Sequence, residues 1–186
     1  FKYSNISSGY NHRELKKALQ LLIDAGIAIP VYHSSANGIP LGAQMNHKKF
    51  KIILFDIGIH QQLMKLDISK FIVTDSFNAV NKGCLAEVFT GLELLHARSP
   101  YCQEFLFYWH REARGSNAEI DYIIQKNGQI IPIEVKAGTK GSMQSMYLFL
   151  NEKNIKKGVR VSLENFDSFD NIDVVPLYAV SNLVGE

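Results

Sequence analysis

Cysteine is nearly missing from this chain: Cys84 and Cys102 are the only two in 186 residues. That is too few for a disulfide framework or a cysteine-rich zinc site, and it suits a reducing, cytoplasmic setting. His47, His60, His96 and His110 are spaced too irregularly to nominate a zinc site in their place. No apolar run is long enough to span a bilayer, so no membrane contact is expected. A Gly-x-x-x-x-Gly-Lys-Ser/Thr run is absent as well, and with it any phosphate-cradling loop of the P-loop kind. The amino terminus, Phe1-Lys2-Tyr3-Ser4, has neither a signal-peptide charge pattern nor an initiator Met, which suggests a piece excised from a longer protein. Neither sign of charge dominates. With 20 Lys and Arg against 18 Asp and Glu, the net charge of +2 permits nucleic-acid binding without arguing for it.

What remains is ordinary globular composition, 46% hydrophobic and 20% charged, enough for one substantial domain or a medium one plus a small one. Its most informative stretch runs from Glu119 to Lys136, where two apolar runs flank Asn127-Gly128. Both residues of that dipeptide tolerate the positive φ of a type I′ turn, so a hairpin is expected. A two-residue turn sets the register: Lys126 faces Gln129, Tyr122 faces Ile133, Asp121 faces Glu134, and Glu119 faces Lys136. Side-chain alternation then gathers Ile120, Tyr122, Ile124, Ile131, Ile133 and Val135 on one face. The other face carries Glu119, Asp121, Glu134 and Lys136.

Directly opposed carboxylates repel, by about 1 kcal/mol in water and about 4 kcal/mol at an effective dielectric of 20 for charges 4 Å apart. A divalent cation between Asp121 and Glu134 is the simplest compensation, since Mg²⁺ and Mn²⁺ prefer oxygen and commonly take one or two protein carboxylates. Lys136, on the same face, is placed to orient a water and stabilise charge on a phosphate. A bland alternative stands beside this one. Glu-x-Lys tripeptides are common on solvated strands, where they form surface ion pairs.

Along the rest of the chain, Asn11 is expected to cap a helix from His12 to Ala25, with Leu15, Ala18, Leu19, Leu22 and Ile23 as its apolar stripe. His12, Arg13, Lys16, Lys17 and Gln20 fall outside the stripe, where they serve either phosphate contact or plain solvation. Strands are expected at Ile27 to Tyr32 and Phe50 to Phe55, joined by a polar loop, and this order matches the back half of a winged helix. A short helix from Ile59 to Leu66 and a loose connector to Asn81 follow. A second long helix is expected from Gly83 to Arg98, with Cys84, Val88, Gly91 and Leu95 on one stripe and Glu87 at its border. A carboxylate there costs free energy unless it is paired or ligating. Beyond it come a strand at Glu104 to His110, the hairpin, a helix at Ser142 to Asn151, a strand at Gly158 to Leu163 and a last strand at Asp173 to Val180. The expected class is α/β, a mixed sheet with helices on its faces.

Helix with Glu, strand, strand with Asp, strand with Glu-x-Lys, helix, strand: this order resembles the core of the PD-(D/E)xK, or restriction-endonuclease-like, superfamily. On that resemblance Glu87, Asp121, Glu134 and Lys136 match the active positions one by one, with Ile120 where a Pro usually precedes the Asp. Gln144 and Tyr147 match a Gln-x-x-x-Tyr-like helix motif only loosely, at shorter spacing. A closer resemblance covers nearly the whole chain. Phe50-Lys51, Asp56-Ile57-Gly58, the run Asn81 to Glu87, Tyr108-Trp109, Asn117 to Tyr122 and Ile131 to Gly138 look like the carboxy-terminal domain of unknown function in bacterial and archaeal AAA-type ATP-binding proteins. That resemblance implies a partial winged-helix segment at 1–66, a connector at 67–81 and a nuclease-like domain at 82–186, behind a P-loop ATPase domain that would hold the ATP. It implies Mg²⁺ or Mn²⁺ held by Asp121, Glu134 and Glu87, water positioned by Lys136, and DNA or RNA as substrate. On the phosphodiesterase reading Glu119 would buffer Lys136, and Arg111, Arg114, Lys140, Lys156, Lys157 and Arg160 either track a phosphate backbone or are scattered exposed cations. The competing expectation is a non-catalytic module that kept the fold for regulation, assembly or partner binding of the ATPase.

Overall fold

The computed structural model describes residues 11–65, 79–101, 104–113, 117–138 and 141–185, with side chains in the helix that opens at Ala79 described from Lys82 onward. Helix α1 (His12–Asp24) starts where Asn11 Oδ1 accepts the Arg13 amide at 3.0 Å, and it ends at Gly26, whose φ of +71° suits glycine. Its apolar stripe forms, but none of its side chains is buried among the described residues, and Leu21 and Leu22 are exposed.

Strand β1 (Ala28–Ser34) and strand β2 (Met45–Leu54) pair antiparallel and run further into the expected polar loop than its composition suggests. A bulge between Tyr32 and His33 and a short 3-10 turn at Leu41–Gln44 make that extension possible. Asp56 Oδ1 accepts the Ile59 amide and so opens helix α2 (Ile57–Leu63), ahead of the expected Ile59 start. The expected connector falls mostly outside the described residues. Helix α3 (Ala79–His96) begins before the expected Gly83.

The remaining elements are strands β3 (Leu106–His110), β4 (Glu119–Lys126) and β5 (Gln129–Lys136), helix α4 (Gln144–Lys153), strands β6 (Gly158–Ser162), β7 (Asp167–Phe169) and β8 (Ile172–Pro176), and a closing 3-10 segment, Leu177–Leu183. The last expected strand stops at Pro176, which has no N–H for the ladder, and β7 is an addition. One mixed sheet of eight strands holds them in the order β2-β1-β3-β4-β5-β6-β8-β7. The two strands read as the back of a winged helix are thus part of this sheet, with β1 parallel to β3. No helix among the described residues is long and apolar enough to cross a membrane.

Two hydrophobic layers cover the sheet. On one face Val88, Leu92 and Leu94 of α3 and Val180 of the closing segment pack on Val31, Tyr122, Ile124, Ile133, Val159 and Val161. On the other face Met146, Phe149 and Leu150 of α4 pack on Phe107, Trp109, Ile120, Ile123 and Ile172. The α3 layer is tight at Gly91, where an added Cβ would strike the Tyr122 hydroxyl and come within 2.8 Å of Ile53 Cδ1. That closeness lets Tyr122 donate its hydroxyl hydrogen to the Glu87 carbonyl at 2.8 Å, one turn back along the helix.

Gly91→Ala should destabilise the protein, because overpacking of about 1–3 kcal/mol outweighs a gain in helix propensity of about 1 kcal/mol. Gly83→Ala, on the same helix with nothing within 4 Å of its added Cβ, should stabilise it instead. Urea denaturation of the two variants checks the contrast.

Candidate functional site

The hairpin turn forms as expected, with Asn127 at φ +50° and Gly128 at φ +72°, and the register holds from Lys126↔Gln129 to Tyr122↔Ile133. Beyond that point it breaks. On its other side β4 pairs Ile123 with Phe107 and Ile120 with Trp109, so Asp121 and Tyr122 together stand opposite the single residue Tyr108. This is a β-bulge, and it turns the strand's alternation over.

Two corrections to the expected hairpin follow from the bulge. Ile120 does not share a face with Tyr122; it packs in the α4 layer beside Trp109. The direct pairings of Asp121 with Glu134 and Glu119 with Lys136 are not part of the ladder. Instead, the Asp121 side chain lies in the gap, and its Oδ2 accepts the Val135 amide at 2.8 Å. A continued register would have set Ile120 opposite that residue, so the carboxylate substitutes for strand pairing where the two strands part.

Glu119, carried to the α3 side by the bulge, meets a residue that the chemical reading of the sequence passed over. Lys51 of β2 shares the face of Ile53, and its Nζ lies 2.8 Å from Glu87 Oε1 and 2.9 Å from Glu119 Oε1. The same ammonium sits 4.9 Å from the centre of the Tyr108 ring and 5.9 Å from that of Tyr122. A signal was present in the sequence: one lysine inside Phe50-Lys51-Ile52-Ile53-Leu54-Phe55 has to find a carboxylate if the strand is half-buried.

Of the four expected site residues, Glu134 and Lys136 are joined, Glu134 Oε1 to Lys136 Nζ at 2.7 Å. Glu134 is only 5% exposed, and its second oxygen, Oε2, is buried with no hydrogen-bond partner among the described residues. Burial pushes the Glu134 carboxyl above the usual range, against the pull of Lys136. Burial, and next the charge of Glu87, push Asp121 up to about 7, against the pull of Lys51 and the Val135 amide. Burial by itself would lower the pKa of Lys51, but the carboxylates of Glu87, Glu119 and Asp121 outweigh it and hold the ammonium above the ordinary lysine value. Glu87, Asp121, Glu134 and Glu119 therefore share one electrostatic neighbourhood with Lys51 and Lys136. Desolvation favours the neutral form of two of these acids, Asp121 and Glu134.

The unsatisfied Glu134 Oε2 is a free acceptor beside this cluster. Glu87 is engaged elsewhere, by Lys51. Among the described residues no three His, Cys, Asp or Glu side chains stand close enough together to ligate one ion.

Beside the cluster, Cys84 of α3 and His60 of α2 approach to 3.4 Å between Sγ and Nε2. Burial raises the thiol and lowers the imidazole, which favours the neutral forms of both and gives no activated nucleophile. The cations expected to track a backbone are largely engaged at home: Arg111 with Glu152, Lys157 with Asp173, and Arg160 with Glu164 and the Gly138 carbonyl. Arg114 and Lys140 lie outside the described residues. Tyr147 donates to Asp170 at 3.0 Å, on the turn between β7 and β8.

The family described as Domain of unknown function (DUF4143) matches residues 82–180, more than half of the chain, and the one described as Domain of unknown function (DUF8612) matches residues 1–70. No curated protein and no solved structure matches the chain.

Folding raises the pKa of Asp121 from 3.8 to about 7, so the folded chain binds this proton more tightly than the unfolded chain. The resulting contribution lowers stability as pH rises from about 4 to about 7 and is level above that. Asp121→Asn, whose amide oxygen can still accept the Val135 N–H, should lack this loss. Denaturation at pH 5 and pH 8 should show its advantage over the parent growing with pH.

Proposed function

The chain belongs to the DUF4143 family, and from that premise we propose that it carries a nuclease-like phosphodiesterase module of the PD-(D/E)xK type, acting on DNA or RNA with Mg²⁺ or Mn²⁺. One observation carries this reading: where β4 and β5 part, the Asp121 carboxylate reaches the amide next to Glu134, and Glu134 holds the Lys136 ammonium. A buried acid, Glu134, and a half-buried one, Asp121, both with raised pKa values, beside a lysine make an arrangement that costs stability and is common at reactive sites.

Asp121 and Glu134 would hold the ion, which supplies charge for a phosphate oxygen and acidifies water. Glu134 holds the Lys136 ammonium through its Oε1. From there the ammonium donates hydrogen bonds to water or to a phosphate oxygen as charge builds on it. Val135 N–H fixes the rotamer of Asp121, so that acid needs no reorganisation when a substrate arrives. In the wider assignment this module lies behind a winged helix and the P-loop domain of a prokaryotic AAA-type ATPase, where ATP would bind. The motif resemblance supports that placement, as does the order of α1 followed by the β1–β2 hairpin.

A second reading has its own observation. Lys51 bridges Glu87 and Glu119, as a structural ion-pair network would. On that reading the chain is a non-catalytic module for regulation, assembly or partner binding of the ATPase.

Single- and double-stranded DNA and RNA incubated with the protein and Mn²⁺ or Mg²⁺ should be cut, and Asp121→Asn and Lys136→Ala should each lose about 100-fold or more of that rate. Absence of cutting on all four substrates, together with no heat of Mn²⁺ binding in calorimetry, favours the second reading.

A further inference from the structure

Strands β5, β6 and β8 run parallel, and at the carboxyl ends of β5 and β6, beneath the first half of α3, lies a pocket of about 240 Å³. That end of the strands is where open α/β sheets take their ligands. Leu85, Ala86 and Phe89 of α3 line the pocket with Val161, Leu163 and Leu177, and Lys82 and Lys136 complete it, with no carboxylate in the described lining. Its volume falls below the roughly 300 Å³ at which pockets begin to hold a drug-sized ligand, so it has room for one apolar side chain or ring. A nucleobase is a poor fit, because the donors on its edges would be buried without acceptors. The one hydroxyl in the lining, that of Ser162, is buried and already shared with Glu164, and lysines accept no hydrogen bond.

Leu163 carries this apolar lining out to the surface at 65% exposure. Close to Leu163 and Leu177 along the chain stand Phe166 and Tyr178, 61% and 73% exposed, with their rings 6.5 Å apart and edge to face. Exposed apolar side chains grouped in this way mark contact surfaces, and a large apolar side chain seated in a pocket is the usual anchor of such a contact. The charge beside the pocket favours an acid: Lys136 uses one of its three hydrogens on Glu134 Oε1, and Lys82 adds a second positive charge. We propose that the pocket is a docking site for another protein, receiving one large apolar side chain from an acidic segment whose neighbouring carboxylate meets Lys136 and Lys82. This goes beyond both functional readings above, since either a nuclease or a non-catalytic module can carry such a site.

Titration of methyl-labelled protein with the capped peptide acetyl-Asp-Glu-Phe-Asp-amide, followed by NMR, tests this. At millimolar peptide the methyl signals of Leu85, Ala86, Val161, Leu163 and Leu177 should move. Acetyl-Asp-Glu-Ala-Asp-amide, which lacks the anchor, and acetyl-Asn-Gln-Phe-Asn-amide, which lacks the charge, should each bind at least tenfold more weakly. Leu163→Asp, at an exposed position where the fold is undisturbed, should weaken binding of the acidic Phe peptide at least tenfold. Unmoved signals with the acidic Phe peptide overturn the proposal, and so does equal binding of either control peptide or equal binding by Leu163→Asp. Should a single-stranded oligothymidylate, or concentration of the protein alone, move these signals in place of the peptide, the occupant is a nucleic acid or a second copy, and the proposal falls. Cutting of nucleic acid by a protein that ignores the peptide removes this site and leaves the phosphodiesterase reading intact.

Discussion

One extra residue in β4 decides the polar geometry of this protein. Where Asp121 and Tyr122 face Tyr108 alone, the strand's alternation turns over, and Glu119 before the bulge and Asp121 within it are delivered to different partners. Without it, Glu119 would stand on the opposite side from Lys51, and Asp121 would lie flat in a ladder with its amide and carbonyl both used. Bulges bend strands and end pairing where a side chain has to be re-aimed. Here the bend opens the sheet at the place where buried acids collect, and the Asp121 carboxylate satisfies the amide that the opening would leave bare.

The acids are kept in place by a tight helix contact and a long lysine. Gly91 allows α3 to sit on Tyr122, and the Tyr122 hydroxyl then fixes the backbone at Glu87. Lys51 neutralises what that approach brings together. Burial of the remaining pair, Asp121 and Glu134, raises both of their pKa values, which marks them as groups whose charge the fold does not fully compensate.

Local chemistry was easy to read from the chain, and pairing between distant segments was not. Asn127-Gly128 announced its turn because few residues accept two successive positive φ angles, and Asn11 announced a helix start because its side chain can replace a missing acceptor. The association of Glu134 with Lys136 followed from spacing alone. The bulge left no such mark, since it is defined by what β3 offers across the gap and not by any preference of Asp121 or Tyr122. The parallel pairing of β1 with β3 was hidden for the same reason: Tyr32 and Phe107 carry no sign of each other. Strand β7 is three residues long, too short for alternation to show. Lys51 was visible only as a lone charge in an apolar run, and its meaning depended on where Glu87 and Glu119 would be.

The parallel seam between β1 and β3 also bears on modularity. A chain cut just before the helix that carries Glu87 would keep every acid of the cluster and lose Lys51, so two carboxylates would be stranded without a counter-charge. The same cut would strip β1 from β3 and leave Leu106, Phe107 and Tyr108 along a bare strand edge, a template for adhesion to other chains. Evolution is therefore not free to shuffle the carboxy-terminal half onto new neighbours as a self-sufficient cassette; whatever replaces the first hairpin has to bring both a strand and a cation.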